Sequence, residues 1–311
     1  MFYLSWDKYE TYKNCPQWYS WDGLNFSSSR VMPYKKKPPK KDTQYLTRGN
    51  AIQDLVGRWI DSSLWLDPRH DFLIKDFLRE ETAHAVNRNW VQSLSENASP
   101  EISALELVFD IQQKLERVFP LFLKHIISQF KDLRSITIKK EVDIDHPYGD
   151  SQLDEILNQP LHLTCRFDVL VVPKDGESVI YEGKSTRKPS LRTDEQLRWQ
   201  AQSLIEDSKN RKTGIKPSNT HYYLFYETAE FRPVQIFDTE GHIAEEHFLW
   251  LNQRHQIIQN LVRGEFKATP NRLVCQICKH KYHCPDVYVA KKRPTLEPKP
   301  SSSGKVKRRM L

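Results

Sequence analysis

Arg166-Phe167-Asp168-Val169-Leu170-Val171-Val172-Pro173-Lys174-Asp175-Gly176-Glu177-Ser178-Val179-Ile180-Tyr181-Glu182-Gly183-Lys184 is the stretch on which the reading of this chain turns. Asp-Gly between two β-branched runs is a strong hairpin signal, and strands are predicted at Leu163–Val172 and Ser178–Ser185. Asp168 and Glu182 are equidistant from Asp175. A turn centred there sets them on opposed positions of neighbouring strands, with Cβ atoms about 4.5–5.5 Å apart. Lys184, two residues beyond Glu182, projects from the same face.

Two carboxylates this close repel each other unless a cation joins them. Oxygen-only ligation suits a hard ion such as Mg²⁺ or Mn²⁺. A lysine beside that ion can orient water or offset charge on a phosphorane-like transition state. This is equipment for phosphodiester hydrolysis. On these three residues alone, a surface hairpin carrying an ordinary Glu–Lys pair is the competing reading.

Upstream of the hairpin the chain reads as helical. Ser5 caps a short helix that ends at Cys15-Pro16. From Gly49 to Trp65, apolar Ile52, Leu55, Val56, Trp59 and Ile60 form one stripe of an amphipathic helix. Helices are also predicted at Asp71–Trp90 and Glu101–Phe130, the second broken near Pro120. They form a helical insertion at about 67–133. The alternating Ile136–Ile144 is a strand. After the hairpin come a helix at Asp194–Asp207, strands at His221–Glu227 and Val234–Phe237, and a helix at Gly241–Val262. This order indicates an α/β fold with a mixed-sheet core flanked by helices.

Composition narrows the function classes. The net charge is +7, and Lys291 to Leu311, with eight basic residues and one acidic, accounts for all of it. That Pro- and Ser-rich tail, 291–311, is expected to be disordered, as a polyanion-binding arm or a solubilising tail. Lys35-Lys36-Lys37-Pro38-Pro39-Lys40-Lys41 reads as an exposed loop. No apolar run long enough for a membrane span exists, and the N-terminus lacks the pattern of a signal peptide. Both point to an intracellular, cytoplasmic protein. The lack of a Gly-rich phosphate loop argues against an ATP motor in this chain.

Of five cysteines, Cys275, Cys278 and Cys284 cluster as C-x₂-C-x₅-C. In an intracellular chain such clustering argues for metal rather than disulfides. Cys15 is the candidate fourth ligand, and Cys165 reads as a buried strand residue. Zinc on the three cysteines with His280 or His283 is the alternative. Trp18, Tyr19 and Trp21 read as packing aromatics rather than base-stacking platforms.

Asp168 followed after thirteen residues by Glu182-Gly183-Lys184 resembles the D…(D/E)xK signature of the PD-(D/E)xK nuclease superfamily. The resemblance implies a restriction-endonuclease-like core in which Asp168, Glu182 and the Gly183 carbonyl bind Mg²⁺ or Mn²⁺ while Lys184 positions water. The following helix resembles the Q-x-x-x-Tyr motif of the RecB-like branch through Gln196, with Gln200 where tyrosine is usual. Glu141 resembles the glutamate on the strand before the hairpin. Arg48-Gly49-Asn50-Ala51-Ile52-Gln53 resembles the branch's G-x-x-x-His helix, with Gln53 in place of the metal-binding histidine.

Cys15 with the C-terminal triplet resembles the iron–sulfur nucleases of that branch, the AddB-type recombination nucleases and the CRISPR-associated exonucleases. This implies a [4Fe–4S] cluster on Cys15, Cys275, Cys278 and Cys284 that staples the chain ends of a nuclease domain at 1–290. It also implies an exonuclease acting on single-stranded DNA ends in repair or antiviral defence, with a helicase or a CRISPR integrase as partner. A catalytically weak DNA-binding adaptor that retains the fold is the rival reading.

Overall fold

The computed structural model describes residues 1–16, 19, 43–94, 103–185, 191–211, 215–269, 271, 274–275, 278 and 284. The lysine-rich loop, Trp18, Trp21 and the basic tail lie outside them. The helices are α1 (Trp6–Asn14), α2 (Thr43–Ser62), α3 (His70–Leu94), α4 (Ala104–Phe130), α5 (Ser151–Leu157), α6 (Leu191–Arg211) and α7 (Glu245–Val262). The strands are β1 (Phe2–Ser5), β2 (Ile136–Pro147), β3 (Leu161–Pro173), β4 (Glu177–Lys184), β5 (Lys216–Pro217), β6 (Thr220–Phe225) and β7 (Glu230–Gln235).

Most of these elements follow from local chemistry. Ser5 caps α1 by accepting from the Lys8 amide. The predicted stripe of α2 is buried throughout, with Leu55 and Trp59 fully enclosed. Its helix begins at Thr43, ahead of Gly49. In α4, Ser103 and Glu106 form a reciprocal capping box. The expected break at Pro120 does not occur. Interior proline costs roughly 3 kcal/mol, but Leu107, Ile111, Leu115, Val118, Phe119, Phe122 and Ile126 bury one long face against the sheet and α3. At about 1.5–3 kcal/mol for each large apolar side chain, that burial outweighs the proline.

Three elements were not expected from the sequence: β1, α5 and the two-residue β5. β1 has only four residues, too few to show alternation, and pairs parallel with β3. α5 is nucleated by Asp150, whose carboxylate accepts from the Gln152 and Leu153 amides.

The sheet runs β1-β3-β4-β6-β7, with β2 also paired to β3 and β5 to β4. β4 and β6 are parallel, whereas β2–β3, β3–β4 and β6–β7 are antiparallel. Helices α2–α4 cover one face, and α1, α6 and α7 cover the other, giving two apolar cores.

The division between these cores locates the site. In β2, Ile136 and Ile138 join the α2–α4 core, whereas Val142 and Ile144, of the same parity, pack into the other. In β3, Val169 and Val171 join the first core, and Leu161, Leu163, Cys165 and Phe167 the second. A regular strand keeps one parity on one face, so both strands change faces together. The switch falls at Glu141 and Asp168: Lys140 pairs with Val169 and Val142 with Phe167, and the rung between is skipped. Glu141 there has φ of +46°, a left-handed conformation that a non-glycine residue adopts only when its surroundings enforce it.

Candidate active site

The predicted hairpin register is the observed one, with Val169 opposite Tyr181, Leu170 opposite Ile180 and Val171 opposite Val179. Beyond Val169 and Tyr181 the ladder stops. β4 continues against β6 alone, pairing Glu182 with Tyr223 and Lys184 with Phe225. β3 and β4 therefore separate where Asp168 and Glu182 stand. Asp168 fills the opening, accepting at Oδ2 from the Gly183 amide at 2.9 Å, a donor released by the end of the ladder.

Glu182 is 3% exposed, so its carboxyl oxygens need hydrogen-bond partners to compensate for burial. Lys184 Nζ and Gln196 Nε2 donate to Oε1 at 2.8 and 2.7 Å, and Gln200 Nε2 donates to Oε2 at 2.8 Å. Lys184 Nζ also donates to Gln196 Oε1 at 2.8 Å. Gln196 thus closes a triangle, giving a hydrogen bond to the carboxylate and taking one from the ammonium. Among uncharged side chains this long, an amide does both at once. The Lys184 ammonium also lies 5.8 Å from the centre of the Tyr223 ring.

Gln200 differs from the tyrosine expected at its position, and the structure supplies its role. It is buried, and its amide bridges Glu182 to the Arg166 carbonyl, the latter also at 2.8 Å. Its spacing from Gln196, one helical turn on the same face of α6, was the available signal. Gln200→Leu leaves both acceptors without this donor. We expect a loss of roughly 1–3 kcal/mol of stability, the cost of an orphaned buried polar group, read by denaturant unfolding. An unchanged midpoint would remove Gln200 from this role.

Asp168 is the strained member of the set. Burial, and then the charge of Glu182, raise its carboxyl well above the usual carboxylate range, against the lowering effect of the Gly183 amide, Lys184 and Gln53. Gln53, predicted as an oxygen ligand, turns its nitrogen to Asp168, with Nε2 donating to Oδ1 at 3.3 Å. A half-turn of the amide would present oxygen instead. Asp168 faces a cavity of about 100 Å³ lined with Gln53, Asp54, Gly57, Glu141 and Tyr226.

These residues fit a divalent cation. A raised carboxyl beside a second carboxylate is the condition a cation relieves. Glu182 uses three of its roughly four lone-pair positions, so one remains. The Gly183 carbonyl and Gln53 amide oxygens complete a hard-donor set.

A larger cavity of about 540 Å³ lies across the sheet, between α1 and α6, reaching Gln196 and Gln200. Asp168 lines the smaller cavity and not this one, so the reacting group is assigned to the smaller cavity.

Sequence profiles identify the lineage. The profile of the PD-(D/E)XK nuclease superfamily matches residues 3–285, nearly the whole chain. The chain belongs to this superfamily. Membership implies nuclease activity on DNA, for which Mg²⁺ or Mn²⁺ is the usual metal in these nucleases, and the mixed sheet flanked by helices is consistent with a restriction-endonuclease-like fold. A solved structure, the crystal structure of SSO0001, is 12% identical over 60% of this chain and 76% of that chain, with a TM-score of 0.32. No curated protein matches the chain. Among the described residues, no helix of this nuclease-superfamily protein is long and apolar enough to cross a membrane.

The cysteines are a separate matter. None of the five forms a disulfide. Cys15 directly follows α1, and the C-terminal segment returns to that point: Thr269 Oγ1 donates to the Asn14 carbonyl at 3.0 Å, and Tyr12 to the Glu265 carbonyl at 2.7 Å. Tyr19 is buried there against Tyr12 and Phe266, as a packing aromatic. Cys165 is buried in β3, and burial pushes its thiol up to about 12, the behaviour of a packed strand residue. Among the described residues, no three His, Cys, Asp or Glu side chains are grouped as a metal site. The proposed nuclease set has only two carboxylates, its other donors being amide and peptide oxygens.

Proposed function

We propose that this protein is a Mg²⁺- or Mn²⁺-dependent exonuclease acting on single-stranded DNA ends. The observation that carries the reading is the convergence of Asp168, Glu182 and Lys184, locked by Gln196 and Gln200, where β3 and β4 part. Asp168, Glu182, the Gly183 carbonyl and Gln53 would hold the metal. The metal would supply Lewis-acid stabilisation of phosphate charge. Lys184, kept in place by Glu182 and Gln196, would orient the attacking water and offset charge as the phosphodiester bond breaks.

We extend the proposal to a [4Fe–4S] cluster on Cys15, Cys275, Cys278 and Cys284, in a nuclease domain spanning 1–290 with a helical insertion at about 67–133. Support comes from the ties between the end of α1 and the segment leading to the cysteine triplet. The cluster's work would be structural, closing the chain ends beside the site. A role in repair or antiviral defence, beside a helicase or a CRISPR integrase, belongs to the same proposal.

The test is degradation of end-labelled single-stranded DNA by anaerobically purified protein with Mn²⁺, alongside an EDTA control. Metal-dependent shortening from one end, by brown protein holding iron and sulfide, is the expected result. Internal nicking would remove the exonuclease assignment. Colourless, zinc-bearing protein would replace the cluster with zinc. Gln53 and Gln200, in place of histidine and tyrosine, favour a second reading, a weak or inactive DNA-binding adaptor. Tight DNA binding without cleavage would select it.

A further inference from the structure

Tyr226 is the residue of the site that no motif announced. It directly follows β6, and its amide donates to the Lys184 carbonyl at 2.9 Å, continuing the β4–β6 pairing by one rung. Its ring is buried, 5% exposed, and its hydroxyl end packs against Gly183. A Cβ on Gly183 would sit 2.4 Å from the Tyr226 hydroxyl and 2.7 and 2.8 Å from two ring carbons. The variable residue of the Glu-x-Lys triplet is therefore glycine here because this phenol occupies the space a side chain would need.

The position of the hydroxyl is specific. Tyr226 lines the same small cavity as Asp168, Gln53 and Glu141. A phenol carries its proton at neutral pH, so the group is a neutral donor. None of the hydrogen bonds that hold Asp168, Glu182 and Lys184 uses its hydroxyl. A buried phenol normally finds a partner for its hydroxyl. On the opposite flank the polar groups of the site are already engaged: Gln196, Gln200 and Lys184 all donate to Glu182. The Tyr226 hydroxyl is a donor still available, and it borders the cavity assigned to the reacting phosphate.

We propose that Tyr226 is a catalytic residue that donates a hydrogen bond to a non-bridging oxygen of the scissile phosphate. This rests on the nuclease reading above. The phenol keeps its proton throughout. Its contribution is electrostatic, strengthening as negative charge gathers on the phosphate oxygens. A donor that acts mainly in the transition state changes kcat and leaves KM nearly alone.

The experiment compares full-length wild type and Tyr226→Phe on end-labelled single-stranded DNA in Mn²⁺. Readouts are single-turnover rate, KM, Mn²⁺ affinity and melting temperature. Loss of one preorganised donor of this kind costs on the order of 100-fold in rate. KM and Mn²⁺ affinity should stay within about twofold of wild type, as expected when only transition-state binding is lost. An equal rate in Tyr226→Phe overturns the inference while leaving the nuclease intact. A tenfold loss of Mn²⁺ affinity also overturns it, because the phenol would then be supporting the metal site.

Phosphorothioate substitution supplies a second measurement that does not require the variant to fold. Sulfur at the contacted oxygen weakens the hydrogen bond, so one diastereomer should be cleaved more slowly than the other by wild type. That difference should shrink in Tyr226→Phe. Equal rates for the two diastereomers in wild type overturn the proposal. A wild type inert toward DNA in every metal tested removes both this inference and the nuclease reading.

Discussion

Lys184→Ala is expected to lower the rate of DNA cleavage by roughly three orders of magnitude, about 4 kcal/mol of transition-state stabilisation. Lys184 serves two carboxylates. It compensates the buried Glu182, and it lowers the carboxyl of Asp168. The fold should survive the truncation because Glu182 retains the Gln196 and Gln200 amides as donors. The loss therefore falls on chemistry, where the ammonium would orient water and offset developing charge. Single-turnover cleavage of labelled DNA at saturating Mn²⁺ is the measurement. A variant within tenfold of wild type would take Lys184 out of the reaction.

Asp168→Asn should have opposite effects on activity and on stability without metal. Cleavage and Mn²⁺ binding are expected to be lost, because the asparagine leaves Glu182 as the remaining carboxylate of the proposed set. The metal-free fold should gain stability. Ionised Asp168 is half-buried beside another carboxylate, and asparagine keeps an oxygen to accept from the Gly183 amide. The pH dependence has a definite sign. A carboxyl raised in the folded state holds a proton there at pH values where the unfolded chain, with an aspartate pKa of about 3.9, has lost it. The folded state then binds more protons, so wild-type stability falls as pH rises from near 4 through the raised value.

Metal-free Asp168→Asn should thus melt above wild type at pH 8, with the gap closing toward pH 5. Mn²⁺ should raise the melting point of wild type alone, by about 2.7 kcal/mol of linkage at a hundredfold excess over Kd. Calorimetry across pH, with and without Mn²⁺, checks both statements. A variant less stable than wild type at pH 8 would show that Asp168 serves the fold more than the metal.

The sequence alone determined the hairpin, its centre and the register that aligns Asp168 with Glu182, although the ladder ends one rung before them. These depend on local chemistry: Asp-Gly turn preference, strand alternation and symmetric spacing about Asp175. The stripe on α2 and the helical character of α4 and α6 were legible because one apolar face repeats over many turns. The helix break at Pro120 was misread because backbone preference, worth a few kcal/mol, was weighed without the burial that opposes it. β1 was invisible because four residues carry no period and its partner, β3, is some 160 residues away in the chain.

Within the site, Gln196 announced itself by its place after the hairpin. Gln200 registered only as a departure, because its worth lies in reaching Glu182 and Arg166 together. The exchange of faces at Glu141 and Asp168 is a property of two paired strands, and no single strand's pattern contains it. Tyr226 reaches the site only because β6 joins β4 in parallel after β3 has turned away. The sequence determined which residues can carry charge and where the chain must turn. The tertiary structure decided which buried groups share each charge, because desolvation and hydrogen bonding depend on neighbours that the chain supplies from far away.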